Sequence, residues 1–279
     1  MNNSWLYQSQ LLLNNMLDIQ EIKNIQLSIL KEVHRFCIEN AIDYSVAHGT
    51  LLGAVRQKGY IPWDDDIDIC MLEKDYEVFM NSFTHPYLKA LSIEKDSTWP
   101  YPYGKVCDDR TVVYEDADVT YPKLGVNIDV FPIYTYPDSV FKALVLRLRI
   151  FILSWVHNIK VTRISARRNF VKNAILSVLK FVFLPLDFAY VNRRIRELCL
   201  KAGSQKSLRL FETRSAHTSV YDTSSFESFD RIEFEGYRYN VMIGWHDYLS
   251  VRHGDYMKLP PKSSQYPHHN IKAFRKNED

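Results

Sequence analysis

Four aspartates crowd into five positions, Asp64, Asp65, Asp66 and Asp68, between Pro62-Trp63 and an apolar run that begins at Ile67. Such a cluster is electrostatically costly unless cations or solvent compensate it. Ile67, Ile69 and Met71 alternate with Asp66, Asp68 and Cys70, which is the period of a half-buried strand. The alternation predicts a strand that carries Asp66 and Asp68 side by side on one face. A second alternation, from Val126 to Phe131, sets Asn127 and Asp129 on one side and Val126, Ile128 and Val130 on the other, predicting a further core strand.

Two carboxylates at i and i+2, completed by a third from a neighbouring strand, suit a hard divalent cation such as Mg2+, with Mn2+ as the substitute, held against phosphate oxygens. The expected ligands are Asp66, Asp68 and Asp129. A bare acidic tract is ordinarily a solvated turn capping the next helix, but these acids are embedded in an apolar strand. Upstream, Tyr44 to Ala47 reads as a short strand and Thr50 to Gln57 as a helix opened by His48-Gly49-Thr50. Free N–H groups at such a helix start can receive a phosphate, and Gly49 permits close approach. Arg56 and Lys105 are the candidate cations for the same phosphates, Arg56 as a fork and Lys105 as a point charge, with a plain surface role as the alternative for each.

The remaining segments set the frame. Ile19, Ile22, Ile25, Ile29, Val33 and Phe36 recur at helical spacing between Asp18 and Glu39, predicting an amphipathic helix that ends near Asn40. Leu72 to Phe83 reads as a helix, Trp99 to Tyr103 as a proline-broken loop, and Val140 to Cys199 as two or three helices. From Ser139 to Leu186 there is no Asp or Glu, yet Lys142, Arg147, Arg149, Lys160, Arg163, Arg167, Arg168, Lys172 and Lys180 are all basic, so the rest of the chain is net acidic. Charges interrupt the apolar runs of this stretch before a membrane span accumulates. Residues 139–199 therefore read as a basic helical insertion, either packed on the acidic half or lying on an anionic membrane surface. The last eighty residues mix short strands and turns. Cys37, Cys70, Cys107 and Cys199 lack metal or redox spacing and are expected to be reduced and buried. Nothing at the N-terminus resembles a signal peptide, so a cytoplasmic protein of one 279-residue catalytic domain is expected, at most peripheral on the inner face of the membrane. A nucleic-acid-binding module is disfavoured, because one acid-free patch on a nearly neutral chain lacks a recognisable RNA-binding motif.

Taken together, His48 to Arg56, Gly59 to Asp68, Lys105, Gly125 to Pro132, Phe234-Glu235-Gly236, Gly254-Asp255-Tyr256 and Leu259-Pro260-Pro261 closely resemble the LicD family over most of residues 20 to 270. The departures are Gln57 and His253, where relatives usually carry His and Tyr, and Asn240 to His246, which lacks their proline-containing stretch. The resemblance implies an α+β, nucleotidyltransferase-like mixed sheet flanked by helices. It implies transfer of phosphocholine from CDP-choline to a hydroxyl of a bacterial surface glycan or its lipid-linked precursor, in teichoic acid, lipopolysaccharide or capsule. Fukutin-related proteins, which look similar, move phosphoribitol. Phosphoethanolamine or phosphoglycerol transfer, or nucleotidyl transfer to a small molecule or RNA, are the alternatives. Asp66 and Asp68 would hold magnesium, Asp129 would be the third ligand or the base, Gly49 and Thr50 would contact donor phosphates, and Asp64 would assist from behind the ligands. Trp63, Tyr101 and Tyr103 are possible substrate contacts. A choline ammonium would fit an aromatic cage drawn from Trp99, Tyr101, Tyr103, Tyr114 and Tyr121, although packing explains such rings as well. The adjacent His268 and His269 do not have zinc spacing and read as a substrate contact or tail.

Overall fold

The protein's structure, a computed structural model, describes residues 15–115, 121, 124–162, 164, 169–204, 207, 209–214, 217–266 and 271–276. Helix α1 (Ile19–Glu39) starts where Asp18 accepts the Glu21 N–H at 2.8 Å and Glu21 returns its carboxylate to the Asp18 N–H at 3.0 Å. This reciprocal cap satisfies two donors that the helix itself cannot. Its stripe of Ile22, Ile29, Leu30, Val33 and Cys37 is buried, each large aliphatic side chain contributing about 1.5–3 kcal/mol.

The chain continues through β1 (Ser45–Val46), α2 (His48–Gln57), β2 (Asp68–Leu72), α3 (Glu73–Ser82), β3 (Leu88–Leu91), β4 (Gly104–Asp108), β5 (Thr111–Glu115) and β6 (Asn127–Thr135). Three helices follow, α4 (Val140–Val161), α5 (Phe170–Val182) and α6 (Phe188–Leu200). After them come β7 (Arg209–Arg214), β8 (His217–Asp222), β9 (Phe229–Phe234), β10 (Tyr237–Met242), α7 (Trp245–His253) and β11 (Ile271–Arg275). The expected α+β class is observed. The helix expected from Thr50 begins two residues earlier, at His48, and the one expected from Leu72 begins at Glu73.

A curled mixed sheet runs in the order β1-β2-β6-β4-β3, and β7 with β8 extends it from the far end of β6. Only β2 and β6 are parallel among its paired strands, and Asp68 is the register partner of Asp129. On the other side of β6, Lys105 of antiparallel β4 is also opposite Asp129. Asp68, Asp129 and Lys105 thus form one row across three strands.

Strand β6 runs longer than the alternation predicts and contains Pro132. Asp129 donates its N–H to Ile67, on the β2 side, so by alternation position 132 faces the opposite edge. There β4 pairs only up to Val130 and β7 begins at Tyr134. Proline sits in the gap between two partners, where no ladder bond is lost.

Helices α4 and α6 do not form a separate unit. Leu146, Ile150, Val191, Ile195 and Cys199 share one apolar cluster with Tyr134, Tyr136 and Phe211 of the β6–β7 region. The four cysteines are buried and unpaired with one another, as expected. No helix among the described residues is long and apolar enough to cross a membrane.

Candidate active site

The acidic loop is positioned by the start of α2. Ala47 donates its N–H to the Asp68 carbonyl at 2.9 Å, and the Thr50 hydroxyl accepts the Asp68 N–H at 2.8 Å. Both backbone groups of Asp68 are therefore tied to the helix start. Thr50 is 2% exposed, so its hydroxyl serves that tie. A Cβ on Gly49 would stand 2.3 Å from Asp64 Oδ2. Glycine is required because the Asp64 carboxylate rests against the helix N-terminus, where the macrodipole favours negative charge. From the other side, Gln26 of α1 donates to the Asp65 carbonyl at 2.9 Å and to the Asn127 carbonyl at 3.3 Å, joining the acidic loop to β6.

Carboxylate oxygens of Asp64, Asp65 and Asp66 come within 4.8 Å of one another. Asp68 is 1% exposed, whereas Asp64 and Asp66 are half-buried at the wall of a cleft. Asp66 precedes β2 rather than lying within it, and the ladder reaches back only to Ile67. Hard oxygen donors converging at this density match what Mg2+ or Mn2+ takes. Asp129 is not part of that trio: it is buried opposite Asp68 on β6 and ion-paired with Lys105 Nζ at 2.5 Å. Lys105 also donates to Asn127 Oδ1 at 3.0 Å, and its ammonium lies 5.0 Å from the Tyr101 ring and 5.8 Å from the Tyr103 ring.

These aromatics already face a cation of the protein. Trp99 is fully buried, donates its indole N–H to the Tyr103 carbonyl at 2.7 Å, and packs edge-on against Tyr101 and Tyr121. Tyr114 is elsewhere, against Phe274 on the β5–β11 ladder. The five rings do not form one cage, and Trp63 is the sequence-selected aromatic that lines the cleft.

The cleft measures about 710 Å³ and brings together Asp64, Asp66 and Asp68 with Arg56, Arg252 and Lys258. The lining thus mixes both signs, with Asp255 standing between Arg252 and Lys258 in the chain. Arg56 is half-buried, and burial pulls its guanidinium below the ordinary arginine value. Its Nη1 reaches the Tyr256 carbonyl at 3.3 Å, while Nε and Nη2 have no hydrogen-bond acceptor among the described residues. Tyr256 comes within reach because Gly254, at φ +64°, ends α7 and turns the chain back. His268 and His269 lie outside the described residues.

Sequence reasoning missed the network beneath this cleft. The His48 side chain, expected near phosphate, is 3% exposed, and its Nε2 meets Glu212 Oε1 at 2.7 Å. The second Glu212 oxygen accepts from Tyr248 at 3.1 Å and from Arg252 Nη1 at 3.3 Å. Burial alone would push the Glu212 carboxyl up, but His48, Arg252 and Tyr248 outweigh it and hold it below the ordinary glutamate range. The His48 backbone has φ +46°, a rare conformation for a side-chain-bearing residue. Its side chain is fixed by the buried contact to Glu212 and by the Phe131 ring, 4.6 Å away.

The stability contributed by ionised Glu212 is present above the unfolded glutamate pKa of about 4.3 and is lost as pH falls through the lower native value. Glu212→Gln should therefore cost about 3 kcal/mol at neutral pH. Its thermal melts should converge with those of the wild type as pH drops below about 4. A gap that stays constant across that range would remove Glu212 ionisation as its cause.

The family described as LicD/FKTN/FKRP, nucleotidyltransferase domain, matches residues 41–165. The lipopolysaccharide cholinephosphotransferase LicD of Haemophilus influenzae is 31% identical over 265 residues, which cover 92% of this chain and 98% of that protein. An uncharacterised protein of Rickettsia typhi is 45% identical over 102 residues, 36% of this chain and 32% of its own length. An uncharacterised Rickettsia prowazekii protein is 47% identical over 47 residues, 17% of this chain and 18% of its own. The Haemophilus match runs through the acidic loop, the sheet and the helices alike at nearly full length of both chains, and this protein belongs to the LicD family.

Proposed function

We propose that the protein transfers phosphocholine from CDP-choline to a sugar hydroxyl of lipopolysaccharide or its lipid-linked precursor, at the cleft between the acidic loop and α7. The observation that carries this reading is that Asp64, Asp66 and Asp68 line the same cleft as Arg56, Arg252 and Lys258. A phosphodiester donor needs both: cations for its phosphate oxygens, and oxygens for a metal that faces them. The name of the Haemophilus relative supports the phosphocholine and lipopolysaccharide assignments. The parallel β2–β6 pair, with Asp68 opposite Asp129, supports a nucleotidyltransferase-like reading of the sheet.

Asp66 and Asp68 would hold the metal, with Asp129 as the third carboxylate, acting as ligand or proton acceptor, and Asp64 steadying them from the helix start. When bound, magnesium supplies charge neutralisation at the phosphate oxygens and at the leaving group. Arg56, whose Nε and Nη2 have no hydrogen-bond acceptor among the described residues, would grip the donor phosphates, and Arg252 would add a second cation. Trp63 would present an apolar ring to the choline ammonium. The acceptor hydroxyl attacks the phosphorus that bears choline, a new phosphodiester forms, the bond to the cytidylyl oxygen breaks and CMP leaves. Positioning and charge stabilisation provide most of the rate in such a displacement.

The test is product analysis with magnesium and a panel of CDP-choline, CDP-ethanolamine, CDP-glycerol, CDP-ribitol and CTP, with and without a lipopolysaccharide acceptor. Acceptor-dependent CMP from CDP-choline is the expected result. CMP from another CDP-alcohol would replace the donor assignment, and pyrophosphate from CTP would replace the reaction class by nucleotidyl transfer.

A further inference from the structure

We infer that helices α4 and α5 form an interfacial surface that seats the protein on an anionic lipid bilayer. Helix α4 exposes Val140, Phe141, Leu144, Leu148, Phe151, Ile152 and Trp155, with Phe141 74% exposed. At one turn per 3.6 residues these fall within an arc of about 120°. Arg147 borders the arc on one side, and Arg149 with Lys142 borders it on the other. The opposite face, through Ala143, Leu146 and Ile150, is buried against the β6–β7 core.

Helix α5 repeats the pattern more strongly. Phe170 is 85% and Phe181 78% exposed, and together with Val171, Ile175, Val178 and Val182 they occupy an arc of about 140° flanked by Lys172 and Lys180. Leu176 is the buried residue of this helix. The two faces adjoin, because the Trp155 ring lies 6.0 Å from that of Phe183 and Lys180 Nζ donates to the Lys160 carbonyl at 3.0 Å. An apolar arc with cations on both borders is the arrangement that lies in the headgroup region, and a soluble monomer rarely leaves so much apolar surface uncovered.

Charge selects the occupant. The sequence from Ser139 to Leu186 has no acid and nine Lys or Arg. Face-to-face pairing of two copies would oppose cation to cation, which is disfavoured, whereas anionic headgroups attract it. Beside this face, a groove of about 350 Å³ between α4 and α6 is lined by apolar Phe141, Val145 and Leu146 and by Lys142, Arg149 and Lys201, with Glu197 there already paired to Arg194. It suits an anionic headgroup with the start of its acyl chain. The helices are not built to cross the bilayer, so the contact is with its surface.

The test is co-sedimentation of the full chain with vesicles of phosphatidylcholine alone or mixed with phosphatidylglycerol, at low salt and near 1 M salt, where the Debye length is about 3 Å. Binding should require phosphatidylglycerol and weaken with salt. It should fall at least about tenfold both in a Phe141→Ser, Phe170→Ser, Phe181→Ser variant and in a Lys142→Gln, Arg149→Gln, Lys172→Gln variant. CMP release toward a soluble acceptor should remain in both variants, which verifies folding and separates this inference from the catalytic reading. No binding of the wild type at low salt would overturn it. So would a wild-type dimer in sedimentation that the phenylalanine variant dissociates, or retention of vesicle binding by both variants.

Discussion

Asp68→Asn should lower CMP release by at least about 10²–10³-fold, the scale at which removal of one preorganised electrostatic contact to a transition state is felt. The substitution keeps the shape of the side chain and removes its charge. Asp68 is 1% exposed, its N–H and carbonyl are fixed by Thr50 and Ala47, and it stands opposite Asp129. An amide there cannot rotate away or recruit solvent to replace the lost oxygen anion. Asp66→Asn, at the half-buried cleft wall, should act in the same direction, and any residual rate in either variant should need more magnesium for half-saturation. Thermal melts of both variants should stay near that of the wild type, since thinning a crowd of four aspartates relieves repulsion. Wild-type rates in both would move the chemistry away from this cleft.

The acidic loop was legible because its signal is local: alternation around Asp66 and Asp68, and again around Asp129, marks neighbouring strands without knowledge of the rest of the chain. The helix start at His48 was nearly so, displaced by two residues because a histidine at φ +46° is no ordinary opening. Long-range partners were not legible. His48 and Tyr248 are 200 positions apart, and no periodicity links them. Two weaker signals existed. Gln26 is a polar residue on the buried face of α1, four positions after Ile22, and Glu212 is a charge directly after the apolar Leu210 and Phe211 of β7. Polar residues at core positions demand partners, and both of these lead to the site.

The aromatic cage shows the opposite failure. Tyr101 and Tyr103 do face a cation, but it is Lys105, which β4 places opposite Asp129. Proximity in sequence cannot distinguish rings that wait for a ligand from rings that cover a buried lysine. The basic stretch was read well as helices and as acid-free. Its dependence on the sheet, through Ile150 and Ile195 against Phe211, emerges only from packing.

That dependence has a charged anchor in Arg196, and breaking it should produce the largest loss of stability. Arg196 of α6 is 5% exposed and pairs through two nitrogens with Glu73 at 2.5 and 2.6 Å, through Nε with Glu94 at 2.6 Å and through Nη1 with the Tyr134 hydroxyl at 2.8 Å. One guanidinium thus joins α6 to the first residue of α3 and to β6. Arg196→Met should destabilise the protein by about 3–5 kcal/mol, lowering Tm by about 10 °C, because it strands Glu73 in a mostly buried position. Burial already holds the Glu73 carboxyl above its ordinary value despite the arginine. Glu94 keeps 40% of its side chain exposed and can turn to water. Arg196→Met combined with Glu73→Met should therefore recover much of the loss, since replacing a whole buried pair with apolar side chains is often close to neutral. A double variant as unstable as the single one would show that the bonds to Glu94 and Tyr134, and not the Glu73 pair, dominate. An Arg196→Met protein that melts with the wild type would remove the anchor altogether.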